Sequence, residues 1–303
     1  MALTLIQMKA QFQDPMRQGI VDLLWQSSRV MSYMSFIEFT GMAYPYSERK
    51  ALAGVTFRSL NSTFSPTAGV INPKVENLTI LGGKIRTDSI AVALKGDKAR
   101  TNEIAGQIEA AGKFFDKNFF HGDPTVDPKS FYGLRKRLVN TQLLKQATNG
   151  GPVTHQMVTQ LLDAVEGPNA QKTLFMSRTN RRNLSNDVVA SATGSGVMDQ
   201  GQQLIQYQGA PIVEVFKDET EAEILTFTES CGSSNVCSSI YCVKFGGQVD
   251  ERGVQGITGL PEKIQQKGPF DYGEYLEDVV QMVAGIGVFG GYVAARLQGV
   301  TAS

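Results

Sequence analysis

Residues 97–124 read DKARTNEIAGQIEAAGKFFDKNFFHGDP, and the rest of the chain is best read outward from them. Ile104, Ile108, Ala111, Phe115 and Phe119 recur every three or four residues, so one stripe of this segment is apolar. That period predicts a helix from about 97 to 120, with Asp97 as its N-cap and Gly122, Asp123 and Pro124 as its stop. At about 1.5 Å per residue it is on the order of 35 Å long, enough to support a whole domain. Ile104, Ile108, Phe115 and Phe119 are its expected core face, packed on a sheet formed by strands near 78–94 and 275–299.

Upstream, residues 78–94 read as one or two strands broken at Gly82 and Gly83. Residues 44–73 read as a long two-stranded ribbon: Val55, Thr56, Phe57 and Arg58 alternate as a strand does, and Asn61-Ser62, Ser65-Pro66, Gly69 and Asn72-Pro73 supply turns. Two strands alone are marginal in water, so the ribbon needs its own domain or another subunit to lie on. Residues 1–40 form an arm with one helix. Pro15 suits its first turn, and Ile20, Leu23, Leu24, Ser27, Met31 and Met34 keep helical spacing, giving a methionine-rich face that adapts to irregular partners.

Downstream the elements mix. Residues 131–146 read as a helix with Arg135, Lys136 and Arg137 on one turn, and 154–165 as another, ended by Gly167 and Pro168. Residues 173–176, 212–216, 224–228 and 240–245 read as strands, and 178–186 are polar and basic. The tail, 275–299, is strand-like and folds back around the glycines at 285–291. The class is α+β, with no repeat and no low-complexity linker.

Composition narrows the function. The 303 residues carry 29 basic and 29 acidic groups, so the net charge is zero and no overall basic face exists to hold nucleic acid. Charged residues are 19%, below the roughly 25% of ordinary soluble domains. A surface with fewer charges fits a chain that covers part of itself with other chains. Cys231, Cys237 and Cys242 match neither a zinc pair nor a C-x-x-C motif and read as small buried thiols. The first six residues lack the basic start of a signal peptide, and the longest near-apolar run, 279–295, is too short for a bilayer. The expectation is a protein made in the cytosol that stays soluble.

The chemical motifs fail one by one. Gly285, Gly287 and Gly290 fit G-x-G-x-x-G, but only 13 residues follow, leaving no room for the βαβ unit that gives the motif its meaning. These glycines read instead as a strand turn or bulge. Residues 167–173 imitate a phosphate loop but carry Gln171 where its second glycine belongs. His121 and His155 have no partner at metal-ligand spacing, and no G-x-S-x-G elbow occurs. Glu219 with Glu221, and Glu277 with Asp278, read as solvating pairs. Arg135-Lys136-Arg137 and Arg178, Arg181 and Arg182 fit salt-bridging or solvation better than a phosphate site. Neither catalysis, nor a cofactor, nor a metal is indicated.

An arm, an uncovered ribbon, a long helix and low charge density describe a subunit completed by its neighbours. In this order the segments resemble the major capsid proteins of tailed bacteriophages, with the Hong Kong 97-like fold. Residues 34–39 (MSFIEF) and 44–46 (YPY) resemble the family's N-arm running into its extended E-loop, and 55–61 (VTFRSLN) the loop's outgoing strand. Residues 113–123 (KFFDKNFFHGD) with 131–134 (FYGL) resemble the end of the spine helix and the start of the A-domain. Residues 175–182 (FMSRTNRR) and 294–300 (AARLQGV) also look like family segments.

The resemblance implies an arm at 1–43, an E-loop at 44–73, a P-domain at 74–124 and 271–303, and an A-domain at 125–270. It implies a structural virion protein, not an enzyme. Hexamers and pentamers would tile an icosahedral shell around packaged double-stranded DNA, touched non-specifically, with the E-loop over the adjacent subunit. Scaffold, portal and decoration proteins are the implied partners, with no membrane and with assembly in the host cytoplasm. No long scaffolding segment precedes the arm, so a separate scaffold or the contacts themselves would guide assembly. Candidates for contact between subunits are Glu48, Arg49, Lys50, Phe57, Arg58, Arg135, Arg137, Arg178, Arg181 and Arg182. Lys50 lies in the loop that some members cross-link, but no partner for such a bond is identifiable. The alternatives are an encapsulin-like nanocompartment shell, with the same fold, and a soluble enzyme of unknown chemistry.

Overall fold

The computed structural model describes residues 3–4, 15–190, 196–198, 204–247, 251–259, 267–271 and 275–302. Two sheets share one long helix. The helix spans Asp97–His121 and ends at Gly122, whose N–H donates to Asn118 O at 2.8 Å. The cap differs from the expectation: Gly96, with φ of +73°, precedes the first turn, and Asp97 is already helical.

Beside the helix lies the first sheet. Its central strand, Tyr275–Phe289, pairs antiparallel with Thr79–Asp88 along one edge and with Lys267–Asp271 and Gly253–Gly259 along the other. Ser35–Phe39 runs parallel to Gly253–Gly259, and Leu3–Thr4 adds to its outer edge. The chain then turns at Gly290, with φ of +117°, and returns as Ala294–Thr301 in the second sheet. There it lies between Leu143–Lys145 and Ser234–Lys244, followed by Lys172–Met176, Ala210–Glu214, Leu204–Tyr207 and Gly196–Met198. A helix over His155–Asp163, capped by Thr154, and another over Arg178–Ala190 pack on this sheet.

The core follows the predicted stripe. Ile108, Phe115 and Phe119 are buried and Ile104 packs against them, within a cluster that includes Val280, Met282 and Ala284 of the central strand. The aromatic seam continues into the second sheet, with Phe120 5.6 Å from Phe175 and 5.1 Å from Tyr241. The arm helix, Pro15–Ser27, buries Val21 and Leu24 on its own subunit. Met31 and Met34, past its end, are buried in the same cluster.

Several local expectations are corrected. Gly82 and Gly83 do not break a strand; Thr79–Asp88 runs through them. A Cβ at Gly82 would collide with Val280 O and one at Gly83 with the Gln107 side chain, so the glycines let strand and helix approach closely. Residues 89–94 are not strand but part of the short helix Ser89–Lys95, because Asp88 accepts from Ile90 N at 2.7 Å and caps it. The helix expected over 131–146 shrinks to Leu134–Arg137. Asn140 takes φ of +58°, and Leu143–Lys145 is drawn to the sheet edge beside Arg296, Leu297 and Gln298.

Residues 224–228 form no strand; Ile224 and Leu225 are buried as irregular chain, and the strand begins at Glu229. The basic stretch from Arg178 is helical, with Leu184 and Val188 turned to the core. Gly285 and Gly287 lie inside the central strand rather than at a turn; a Cβ at the first would run into Leu78 and one at the second into Phe289.

Candidate assembly surface

The ribbon is real but its strands lie outside the predicted alternation. Ala43–Ala51 pairs antiparallel with Val70–Asn77, from Ala43 opposite Asn77 to Ala51 opposite Val70. Residues 52–69 between them have no strand, and Val55 to Arg58 are all exposed. Alternation produces a ladder only where one face can be buried, and here neither is.

The stem is fastened to its own subunit. The Arg137 guanidinium donates to both carboxylate oxygens of Glu76, at 2.7 and 2.6 Å, and its Nε donates to Tyr132 O at 2.7 Å. Such a bidentate pair fixes orientation as well as position. Tyr46 donates its hydroxyl to Glu76 at 3.0 Å, and burial beside that carboxylate raises the phenol far above its ordinary range. The rings of Tyr44 and Tyr46 meet Phe289 edge-on at 6.0 and 5.0 Å. Between stem and body runs a groove of about 990 Å³, lined by Tyr46, Glu48, Lys74, Asn140, Arg252 and Tyr292 among others.

The tip is held only by itself. Thr67 Oγ1 donates to Gly54 O at 2.8 Å, Arg58 donates to Ser62 O at 2.7 Å, and the Arg58 guanidinium lies 5.5 Å from the Phe64 ring centre. Val55 is 95% exposed, Leu60 92% and Phe57 fully so. Apolar side chains in that number, on one projecting loop, mark a surface made to be covered.

The sequence candidates divide between these settings. Phe57 and Arg58 sit on the bare tip, and Glu48 pairs with Lys74 across the stem. The side chains of Arg49 and Lys50 lie outside the described residues. Arg137 and Arg181 are engaged within the chain, the latter 2.8 Å from Glu214. Arg135 stands 3.8 Å from Glu229, Arg178 stands 3.8 Å from Glu214 with 79% exposure, and Arg182 is exposed. Sequence reading missed Glu76, Tyr46 and Phe289, which anchor the ribbon. It also missed the buried network of Arg296, Glu229 and Ser239, with Arg296 2.6 Å from Glu229 and 3.0 Å from Ser239.

The former enzyme candidates have structural settings. His121 donates from Nε2 to Ile224 O at 2.8 Å, and burial lowers its pKa. His155 Nδ1 lies 2.8 Å from Asp187, which also accepts from the His155 N–H at 2.6 Å and so ties the helix start down. Among the described residues no three His, Cys, Asp or Glu side chains are grouped to hold a metal. No described helix is long and apolar enough to cross a membrane.

Comparison with known proteins places this architecture. Residues 13–158 match the family described as major capsid protein GP7. No curated protein sequence matches the chain. Among solved structures, the chain is similar to the holo-SrpI encapsulin complex from Synechococcus elongatus PCC 7942, with a TM-score of 0.66 at 14% identity over 90% of this chain and 88% of that one. The capsid of a native GTA particle superposes with a TM-score of 0.64 at 13% identity over 91% of both chains. Mycobacterium phage Bobi gives 0.61 at 13% identity over 89% of both. At these identities the structures speak for the fold, and the family match speaks for the sequence. Across its arm helix, ribbon and long helix the chain is thus similar in sequence to the major capsid protein GP7 family, and over nine tenths of its length it has the fold of capsid shells.

Proposed function

We propose that the chain assembles as hexamers and pentamers into an icosahedral shell around packaged double-stranded DNA, each ribbon lying over the next subunit. The observation that carries this reading is the bare tip at 52–69, whose Val55, Phe57 and Leu60 find no cover on their own chain. On this reading the arm is 1–43, the E-loop 44–73, the P-domain 74–124 with 271–303, and the A-domain 125–270. Phe57 and Arg58 touch the neighbour directly, while Arg137 acts through Glu76 by aiming the ribbon. Scaffold, portal and decoration proteins are the further partners, and assembly takes place in the host cytoplasm.

DNA is confined rather than gripped. Net charge zero gives little counterion release, and Arg137 and Arg181 are already neutralised by carboxylates of their own chain. The likeness to an encapsulin complex favours a second reading, a nanocompartment that holds protein cargo. Nuclease digestion of purified particles separates the two. Large particles with nuclease-resistant DNA are expected; particles that protect cargo protein and no DNA would establish the second reading, and a small soluble oligomer would contradict both.

A further inference from the structure

The three thiols among the described residues are buried and reduced. Cys231 and Cys237 lie on the two strands of one hairpin, which turns at Gly232 and Ser233. Cys231 pairs with Ser234; after a register shift Glu229 pairs with Cys237. Cys237 therefore stands opposite a residue two positions from Cys231, and residues two apart on a strand share a face. The Cys237 side chain also disfavours ionisation of Cys231. Both sulfurs also pack on one pair of glycines: a Cβ at Gly150 would run into Cys237 Sγ, and one at Gly299 would press on Cys231 Sγ at 3.3 Å. A cavity of about 80 Å³, lined by Lys145, Thr148, Ser230 and Gln298, opens onto Cys231, with Cys237 fully buried behind it.

We propose that Cys231 and Cys237 form a redox modification site, which a small aliphatic disulfide converts into a disulfide within the chain. Cys231, at the cavity, releases its proton and its thiolate attacks the reagent. The reagent's S–S bond breaks, and one half leaves as a thiolate that takes up a proton. The Cys237 thiolate then attacks Cys231 Sγ, the new S–S bond forms, and the second half leaves in the same way. Two cysteine thiols lose two electrons and two protons, and the reagent gains both. Burial, with the Cys237 contact added, pushes the Cys231 thiol up to about 11, so thiolate is scarce at neutral pH. A reducing cytosol keeps the pair open, and an oxidising exterior closes it and ties the hairpin.

The test uses the full chain as purified, treated while folded with 2-hydroxyethyl disulfide at pH 7 and pH 9. Thiols counted after denaturation should fall from three to one, and the chain should become two hydrogens lighter. Non-reducing peptide maps should join Cys231 to Cys237 and leave Cys242 free. Closure should be about 100-fold faster at pH 9, since thiolate rises about tenfold per unit below its pKa. Cys237→Ser should stall as a mixed disulfide on Cys231, and Cys242→Ser should close like the parent. A persistent adduct on Cys231 in the parent, links between chains, or three unreacted thiols at pH 9 would overturn the proposal.

Discussion

Replacing Phe115 with alanine should cost the folded subunit about 3–5 kcal/mol, the usual penalty for emptying a buried aromatic site. Phe115 is fully buried, its ring centre 5.5 Å from that of Phe131, in the cluster shared by the arm, the long helix and the central strand. A domain is held by only about 5–15 kcal/mol, so soluble yield and the urea midpoint should both drop sharply. Assembly then fails for want of subunits. A subunit with an unchanged midpoint that merely fails to assemble would make this stripe an outer surface.

The second large effect is a pH dependence centred on Asp116. This carboxyl is fully buried on the long helix, where it meets Ser28 Oγ at 2.5 Å, Arg29 N at 2.8 Å and Val30 N at 3.3 Å, and so holds the chain leaving the arm helix. Burial pushes its pKa up to about 7, against the opposing pull of those donors and of Arg29. The folded chain thus binds a proton that the unfolded chain, near the ordinary 3.8, has released. The contribution is complete below about pH 4 and is lost as pH rises through 7, at roughly 1.4 kcal/mol per pH unit within that window. Asp116→Asn, which imitates the neutral group, should remove this slope. Urea midpoints of parent and variant from pH 4 to 8 measure it directly, and parallel curves would show that Asp116 is ionised throughout.

Much of this was legible in the residues because burial writes a period into sequence. The 97–120 stripe gave both a helix and its core face, and Ile108, Phe115 and Phe119 are buried as read. The period misled where burial is absent or tertiary. Residues 55–58 alternate without a face to bury, and Ile224 and Leu225 of the run at 224–228 are buried without a ladder. Gly82, Gly83, Gly285 and Gly287 read as breaks, but they are straight strand at close approaches, and only the side chains and backbone packed against them from elsewhere in the fold show why. The anchor of the ribbon was illegible for a plainer reason. Glu76 and Arg137 are 61 residues apart, and nothing in the spacing announces that they meet.

The tip of the ribbon is idle within its own subunit and should be needed by the next. Ser47 and Pro73 are register partners across the stem, so residues 48–72 can be replaced by a two-residue Asn-Gly turn without separating the strand ends. Velocity sedimentation of that variant is the most direct measurement. The predicted result is a folded, soluble subunit with a near-parental midpoint that sediments slowly and forms no shells; particles of normal size and yield would contradict the account.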